Sequence, residues 1–324
     1  MLDRVEARRG LWYKAGRGSD QEEDLAMVEM TPSERSAMSE VVAIALREDL
    51  GSGDVTSESV LSASATARGG IVSRVPGVVA GLPVVREVFR QISGRIVFQP
   101  RIEEGSCVQA GARLAEVSGP AVAILAGERV ALNFLQRLSG IATLARRCVE
   151  SLGGYDCRIL DTRKTTPCLR ALEKYAVRVG GGCNHRMGLY DQVLIKDNHL
   201  RLLAGEAGDL CAAVRLAVER ARRRVGATML IEVEVETLDM VDAAIEAGAD
   251  VIMLDNMSEP DMREAVRRIR RCRTESGRPY PISEASGGIT IERLESVAAT
   301  GVDTISLGAL THSVRSLDMA LEMT

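Results

Sequence analysis

Apolar positions after Thr31 recur with the period of an α-helix. The preceding run T-P-S-E offers Thr31 as N-cap, Pro32 as the first helical residue and Glu34 as the capping-box partner. The apolar residues that follow occupy one helix face; they are Met38, Val41, Val42, Ala45 and Leu46. The pattern predicts an amphipathic helix that begins near residue 31 and ends at Gly51.

The stretch from 51 to 152 contains three different sequence patterns. The segment GSGDVTSESV is typical of a loop, with Asp54 and Thr56 suited to local side-chain-to-backbone hydrogen bonds. From about 65 to 120, alternating apolar runs broken by glycine predict antiparallel strands with one helix over roughly 83–92. Residues 121–152 form a long helical pattern, with Gly127 and Gly140 as candidate interruptions.

After residue 155, short apolar runs alternate with helical stretches. Runs such as VLI and VIML are apolar at consecutive positions, which is typical of strands buried on both faces of a parallel sheet. Two segments, 246–256 and 299–309, share a glycine, an Asp two residues later, a strand and a polar loop. Such repeated helix–strand units favour a β/α barrel over a helical bundle.

Composition and charge narrow the class of protein. The formal net charge of −4 argues against non-specific binding of nucleic acid, so any basic site must be local. The seven cysteines are scattered without a C-x-x-C pair, which favours a reducing cytoplasm over a disulfide framework or a zinc site. No apolar stretch approaches the ~20 residues that cross a bilayer, and the charged residues 1–30 are unlike a signal peptide.

Polar residues follow nearly every predicted barrel strand. Because the carboxyl ends of barrel strands meet at one mouth, we expect these groups to converge there. The groups that bear cationic side chains can hold a substrate with several carboxylates; they are Arg163, Lys164, His185, Arg186 and Lys196. Glu234 and Asp255 suit a Mg²⁺ ion or ribose hydroxyls. The loops Ser286-Gly287-Gly288 and Leu307-Gly308-Ala309 precede predicted helices and suit a phosphate.

This set of groups points to phosphoribosyl transfer onto an acidic ring. Simpler roles remain for several other residues. Glu232 and Arg178 are candidate salt-bridge partners, and for His199 and His312 a capping or packing role is as strong an interpretation as substrate contact. The convergence of the main set on one mouth is what raises it above such structural roles.

Several blocks of the sequence resemble one enzyme family in its order along the chain. The run DTRKTTPCLRALEKYAVRVGGGCNHRMGLYDQVLIKDNHL is similar to the signature region of quinolinate phosphoribosyltransferase. Further similar blocks are ALREDLGSGDVTS, ERVALNFLQRLSGIAT, IEVEVETL, LDNM, SGGIT and GALTHS, so that the resemblance spans about residues 37–322. It implies that quinolinate and 5-phosphoribosyl 1-diphosphate (PRPP), with Mg²⁺, give nicotinate mononucleotide, diphosphate and CO₂.

The resemblance also implies residue roles. The quinolinate carboxylates and the diphosphate would be bound by Arg129, Thr162, Arg163, Lys164, His185, Arg186 and Lys196. Glu234 and Asp255 would face the ribose and the metal, and with Lys164 they are the catalytic candidates. Arg129 would reach into the site of a partner subunit, which implies a homodimer.

The fold that the resemblance implies is an N-terminal α/β sandwich-like domain followed by an incomplete β/α barrel of six or seven strands. We therefore predict a disordered leader over 1–30, a sandwich domain over 31–150, a barrel over 151–310 and a C-terminal helix over 311–324 that returns to the sandwich. One departure is Cys168, where the family commonly has glycine, and it leaves the shape of that loop open.

Three other functions stay open from the sequence. A paralogue of the same fold, such as the molybdenum-locus protein, and a nicotinate-using transferase are the nearest. A non-catalytic binder of sugar phosphates on a barrel scaffold is the third. The full cationic set argues against nicotinate, which carries only one carboxylate.

Overall fold

The computed structural model describes residues 28–276 and 281–324, and these form two compact units. The sandwich unit contains the described residues up to Arg146, Lys164–Gly182 and Ala309–Thr324, and the barrel unit contains Arg147–Arg163 and Cys183–Gly308. The predicted boundary at 150/151 therefore misses Lys164–Gly182, which groups with the sandwich. Most of the predicted leader, residues 1–27, lies outside the described residues.

The sandwich unit contains a four-stranded antiparallel sheet in the order β12-β1-β5-β3. Its strands are β1 Thr66–Ser73, β3 Val97–Pro100, β5 Arg113–Pro120 and β12 Met319–Met323, and a separate ribbon pairs β2 Gly77–Val78 with β4 Cys107–Val108. The predicted antiparallel strands are confirmed. The predicted C-terminal helix over 311–324 is wrong: within it, Met319–Met323 form β12, which pairs with β1 from Gly69↔Met323 to Ser73↔Met319.

The helices of this unit follow the apolar patterns closely. They are α1 Pro32–Leu50, α2 Val55–Val60, α3 Leu82–Ile92, α4 Ala121–Glu150 (which runs on into the barrel unit), α5 Arg170–Val179 and α11 Ala309–His312. The capping box of α1 is present, since Thr31 Oγ1 accepts from Glu34 N at 3.2 Å and Thr31 N donates to Glu34 Oε2 at 2.8 Å. The predicted loop at 51–60 is partly wrong, because Asp54 caps the six-residue α2 through Ser57 N.

Helix α4 passes through both of its glycines without a break. Gly127 lies against Phe89 of α3, and Gly140 lies against the backbone of Arg315. At Gly140 a Cβ would collide with that backbone, so glycine permits close approach there rather than ending the helix. The predicted interruptions are therefore wrong for a packing reason.

The barrel unit is built on a six-stranded parallel sheet in the order β6-β11-β10-β9-β8-β7. Its strands are β6 Arg158–Leu160, β7 Val193–Ile195, β8 Ile231–Val235, β9 Val251–Asp255, β10 Ile282–Ser286 and β11 Thr304–Ser306. Its helices are α6 Asp197–Ala207, α7 Leu210–Val225, α8 Leu238–Ala247, α9 Glu259–Ser276 and α10 Leu294–Ala298, with a 3₁₀ turn at Ile291–Arg293. The edges β6 and β7 do not pair, so the prediction of an incomplete barrel is confirmed.

The loop that contains Cys168 keeps the backbone shape of a glycine position. Cys168 has φ 66°, in the left-handed region that costs a non-glycine residue about 1–2 kcal/mol. We expect Cys168→Gly to raise the free energy of unfolding by up to about 1 kcal/mol, since part of the relieved strain is offset by glycine flexibility. Thermal unfolding measures this change. Cys168→Ala is the control, because it removes the thiol and keeps the strain; an equal gain from both variants would contradict the explanation.

Candidate active site

The predicted site residues of the barrel unit lie at the carboxyl ends of its strands. Thr162 and Arg163 follow β6, Lys196 follows β7, and Ser286 ends β10. Glu234 lies near the end of β8 and Asp255 at the end of β9. Because all six strands are parallel, these residues share one edge of the sheet. This edge is where the sequence placed the predicted site.

Asp161 holds the segment around His185 beside the end of β6. Its carboxylate is fully buried and accepts hydrogen bonds from Asn184 Nδ2 at 2.6 Å and from His185 N at 2.9 Å. Leu160 and Cys183 also form a parallel β-bridge. The segment from Cys183 to His185 is thus held beside β6, at the open edge of the barrel.

Two guanidinium groups lie near each other in this corner. Arg186 is buried, and both its burial and the nearby charge of Arg163 lower its pKa. Glu232 and Asp191 act in the opposite direction. Two like charges repel each other in a partly desolvated place. An anion with two carboxylates can bind both guanidinium groups and neutralise this repulsion.

The carboxylates of Glu234 and Asp255 lie on the neighbouring strands β8 and β9. Burial raises the pKa of Glu234, the charge of Asp255 adds to the rise, and Lys196 opposes it. Lys196 Nζ lies 3.3 Å from Glu234 Oε2 and is about half exposed. The oxygens of Glu234 and Asp255 are of the hard kind that Mg²⁺ binds, and their mutual repulsion favours a cation between or beside them.

The two predicted phosphate loops begin on adjacent strands. Ser306 Oγ and Ser286 Oγ are 3.1 Å apart at the ends of β11 and β10. Gly287 and Gly288 have φ of 89° and 57°, and a Cβ at Gly287 would collide with the Asn256 amide. Leu307 is buried and Gly308 follows it. Glycine is therefore required at 287 both by backbone conformation and by space.

Three predicted site residues belong to the sandwich unit. Arg129 is exposed on α4, and Ala309 begins α11. Lys164 is exposed, and its carbonyl oxygen accepts a hydrogen bond from Thr311 Oγ1 at 2.8 Å. Arg137 stabilises the same region, since it contacts Glu173, Thr166 and the carbonyl of Thr311. The loop that carries Lys164 is thus tied to the start of α11.

Buried polar residues behind Arg186 were not assigned to the site from the sequence. Glu232 and Glu284 are fully buried on β8 and β10, and the side-chain amide of Gln192 donates to Glu232 Oε2 at 2.5 Å. His185 Nε2 lies 3.1 Å from Glu232 Oε2 and 3.7 Å from Glu284 Oε2. Burial and the charge of Glu232 raise the pKa of Glu284 to about 7. A carboxylate in the middle of an otherwise apolar strand was the available signal.

The residues with simpler expected roles are also placed. Arg178 pairs with Glu34 at 2.6 Å, within the sandwich unit, whereas Glu232 contacts His185 instead. His199 has a capping role, since its Nδ1 accepts from Lys196 N at 2.8 Å. His312 Nδ1 lies 2.6 Å from Ser313 Oγ. The capping and salt-bridge interpretations of His199 and Arg178 are confirmed.

Comparisons with known proteins agree along almost the whole chain. Residues 54–139 match the family described as quinolinate phosphoribosyl transferase, N-terminal domain, and residues 141–322 match its C-terminal domain. The chain is 45% identical over 278 residues to a probable nicotinate-nucleotide pyrophosphorylase [carboxylating] of Bacillus subtilis, covering 86% of this chain and 90% of that protein. It is 40% identical over 299 residues to the Mycobacterium leprae nicotinate-nucleotide pyrophosphorylase [carboxylating], covering 91% and 100%.

A solved structure agrees with the fold as well. The crystal structure of NadC from Streptococcus pyogenes superposes with a TM-score of 0.82 at 37% identity, covering 91% of this chain and 98% of that one. Within the described residues, no helix is both long and apolar enough to cross a membrane.

Proposed function

The chain belongs to the quinolinate phosphoribosyl transferase family, and from this premise we propose that its site transfers the 5-phosphoribosyl group of PRPP to quinolinate. The products are nicotinate mononucleotide, diphosphate and CO₂. The observation that carries this assignment is the pair of neighbouring guanidinium groups of Arg163 and Arg186, at the strand ends that also present Glu234 and Asp255. Quinolinate has two adjacent carboxylates, which match two arginine forks.

The barrel residues also fit a Mg²⁺ ion. Glu234 and Asp255 would supply oxygen ligands, and burial, together with the charge of Asp255, raises the pKa of Glu234. When bound, Mg²⁺ would supply positive charge that favours departure of the diphosphate. Lys196 would contact the same leaving group. The glycine loops at 286–288 and 307–309 would hold the 5-phosphate through backbone N–H groups.

The remaining chemistry falls to the side chains of the chain itself. The pyridine nitrogen of quinolinate attacks the anomeric carbon of the ribose as the bond to diphosphate breaks. Glu234 or Asp255 stabilises the positive charge that develops on the ribose ring, and Arg163 and Arg186 keep the ring oriented. The positive charge of the quaternised nitrogen then stabilises the electron pair that stays on C2 when the C2 carboxylate leaves as CO₂, and a proton from solvent takes the place of the carboxylate at C2. Attack by the nitrogen needs no general base, since that nitrogen carries no proton.

We further propose a homodimer in which Arg129 completes the site of the partner subunit. Its exposed position on α4 supports this role. Sedimentation of a mixture of Arg129→Ala and Arg163→Ala proteins, followed by assay, tests the shared site: mixed dimers should regain part of the activity that each variant lacks.

All seven cysteines are free thiols, which supports a reducing compartment such as the cytoplasm.

One assay tests the reaction. The purified protein is incubated with quinolinate, PRPP and Mg²⁺, and CO₂ and diphosphate are measured. We expect both in equal amounts. In a parallel incubation with nicotinate in place of quinolinate, release of diphosphate would indicate a nicotinate-using enzyme. Ligand binding without diphosphate in either incubation would indicate a sugar-phosphate binder.

Removal of divalent cations provides a second test. We expect EDTA to abolish turnover and Mg²⁺ to restore it. Glu234→Gln and Asp255→Asn should each raise the Mg²⁺ concentration for half-maximal activity by about tenfold or more, because each removes a charged oxygen ligand. Glu246→Gln is the matched control, since Glu246 pairs with Arg215 on the outer helices. Unchanged Mg²⁺ dependence in both site variants would contradict the metal assignment.

A further inference from the structure

Arg186 is linked to the buried Glu232 carboxylate in two ways, through its guanidinium group and through its backbone N–H. Its guanidinium Nη1 donates to the backbone oxygen of Gln192 at 3.2 Å, and the amide of Gln192 donates to Glu232 Oε2 at 2.5 Å. Its backbone N–H donates to His185 Nδ1 at 2.7 Å, and His185 Nε2 lies 3.1 Å from the same Glu232 oxygen. Four residues therefore close a ring of contacts, and all four lie in the barrel unit.

Two contacts bear on which ring nitrogen of His185 carries a hydrogen. A ring nitrogen that accepts a hydrogen bond carries no hydrogen, so Nδ1 is unprotonated while Arg186 N donates to it. The ring hydrogen is then on Nε2, where Glu232 Oε2 is the acceptor at 3.1 Å. Both ring nitrogens of His185 are thus engaged by the protein, and its side chain is only 7% exposed.

The surroundings explain why such a framework is needed. Arg186 is buried beside Arg163, and like charges in a desolvated place repel. Without fixed partners at both ends, the guanidinium would move toward solvent, and substrate binding would have to restore its position. The ring of contacts keeps it in place before the substrate arrives.

We propose that His185, Gln192 and Glu232 are positioning residues that hold Arg186 for a carboxylate of the substrate, with His185 as a neutral bridge rather than a member of the cationic set. The inference rests on the proposed function, because it takes Arg186 as a substrate contact. The ionisable groups that face His185 include Glu232 from β8, Glu284 from β10 and Asp161 after β6, and the last accepts its backbone N–H.

A metal ion is the alternative occupant of this cluster. The ligand atoms of His185, Glu232 and Glu284 lie within 4.8 Å of one another. A histidine that binds a metal through Nε2 normally donates its Nδ1 hydrogen to a neighbour. Here Nδ1 accepts instead, so metal binding would require an imidazolate or a rearranged backbone. The hydrogen-bond direction therefore favours a proton on Nε2.

The first experiment observes the proton directly in the unmodified protein. Long-range ¹H–¹⁵N spectra of ¹⁵N-histidine-labelled protein contain only three rings, and His312→Asn and His185→Gln assign them. For His185 we expect one protonated nitrogen, Nε2, and one unprotonated nitrogen, Nδ1, from about pH 6 to about pH 8.5. A doubly protonated ring near neutral pH, a hydrogen on Nδ1, or one equivalent of bound transition metal in the purified protein would each overturn the proposal.

The second experiment measures the consequence for binding. Gln192→Met removes one connection without adding charge, and we expect the KM for quinolinate to rise about tenfold while kcat changes less. Gln136→Met is the matched control, since that amide donates to the carbonyl of Met319 in the sandwich unit. An unchanged KM in Gln192→Met would overturn the inference.

The two proposals fail separately. If the unmodified protein releases no CO₂ from quinolinate, the proposed function fails, whatever tautomer His185 has. If the unmodified protein is active and Gln192→Met behaves like its control, only the positioning role fails.

Discussion

We expect Arg163→Ala to lower kcat/KM for quinolinate by about two to three orders of magnitude. Arg163 lies directly after β6 and near the buried Arg186, so its loss leaves one of two substrate carboxylates facing a partly desolvated place without its fork. Truncating one partner of a buried, hydrogen-bonded charge pair costs about 2–5 kcal/mol. Most of the loss should appear in KM for quinolinate and little in KM for PRPP.

Two further variants sharpen this test. Arg163→Lys keeps the charge without the bidentate fork, so its activity should lie between those of Arg163→Ala and the unmodified protein. Arg220→Ala is the control, because Arg220 is an exposed arginine that pairs with Glu206 on the outer helices. Near-normal kcat/KM in Arg163→Ala, with CO₂ still released, would show that the carboxylates bind elsewhere.

We expect Glu173→Gln to lower the free energy of unfolding by roughly 3 kcal/mol. The Glu173 carboxylate is fully buried and accepts hydrogen bonds from Arg137 Nε at 2.9 Å, Arg137 Nη2 at 2.5 Å and Thr166 N at 3.1 Å. The neutral amide leaves the Arg137 charge without its counter-ion. The amide nitrogen would also face the N–H donors of Arg137 or Thr166, with which it cannot form a hydrogen bond as acceptor. Thermal unfolding and hydrogen exchange of the 164–169 loop measure the effect.

The same substitution should affect activity indirectly. The loop from Lys164 to Leu169 is held by Arg137 and by Thr311, so loosening it should also raise the KM for PRPP if Lys164 contacts the diphosphate. Glu206→Gln is the control for stability; its exposed ion pair should be worth less than about 1 kcal/mol. Equal destabilisation by both variants would contradict the role of the buried carboxylate.

The sequence predicted local elements well where the signal was local. Helix α1 has its cap, its first-turn proline and its apolar face within twenty consecutive residues. The C-terminal strand was missed for the opposite reason. Ala, Leu, Met and Glu in MALEM favour a helix, whereas the alternation of Leu317, Met319 and Leu321 favours a strand. The choice is made by pairing with β1, nearly 250 residues earlier, which no local pattern reveals.

The site shows a similar division. Strand ends could be located from the sequence, because a polar residue after a buried apolar run is visible there. The sequence did not show how deeply each polar side chain is buried inside the barrel. Glu232 and Glu234 are two residues apart on β8, a spacing that puts both side chains on one face of the strand. Yet Glu234 contacts Lys196, while Glu232 contacts His185 and Gln192. Spacing gives the face of a strand, but only packing determines what meets each side chain.

The pairing of β12 with β1 has a consequence for biosynthesis. During translation, β12 emerges from the ribosome only after all the residues between the two strands have been synthesised. Until then, the edge of β1 that pairs with β12 has no partner strand. Nascent chains would therefore display an unpaired edge for many seconds, a state in which chaperone binding competes with intermolecular strand addition.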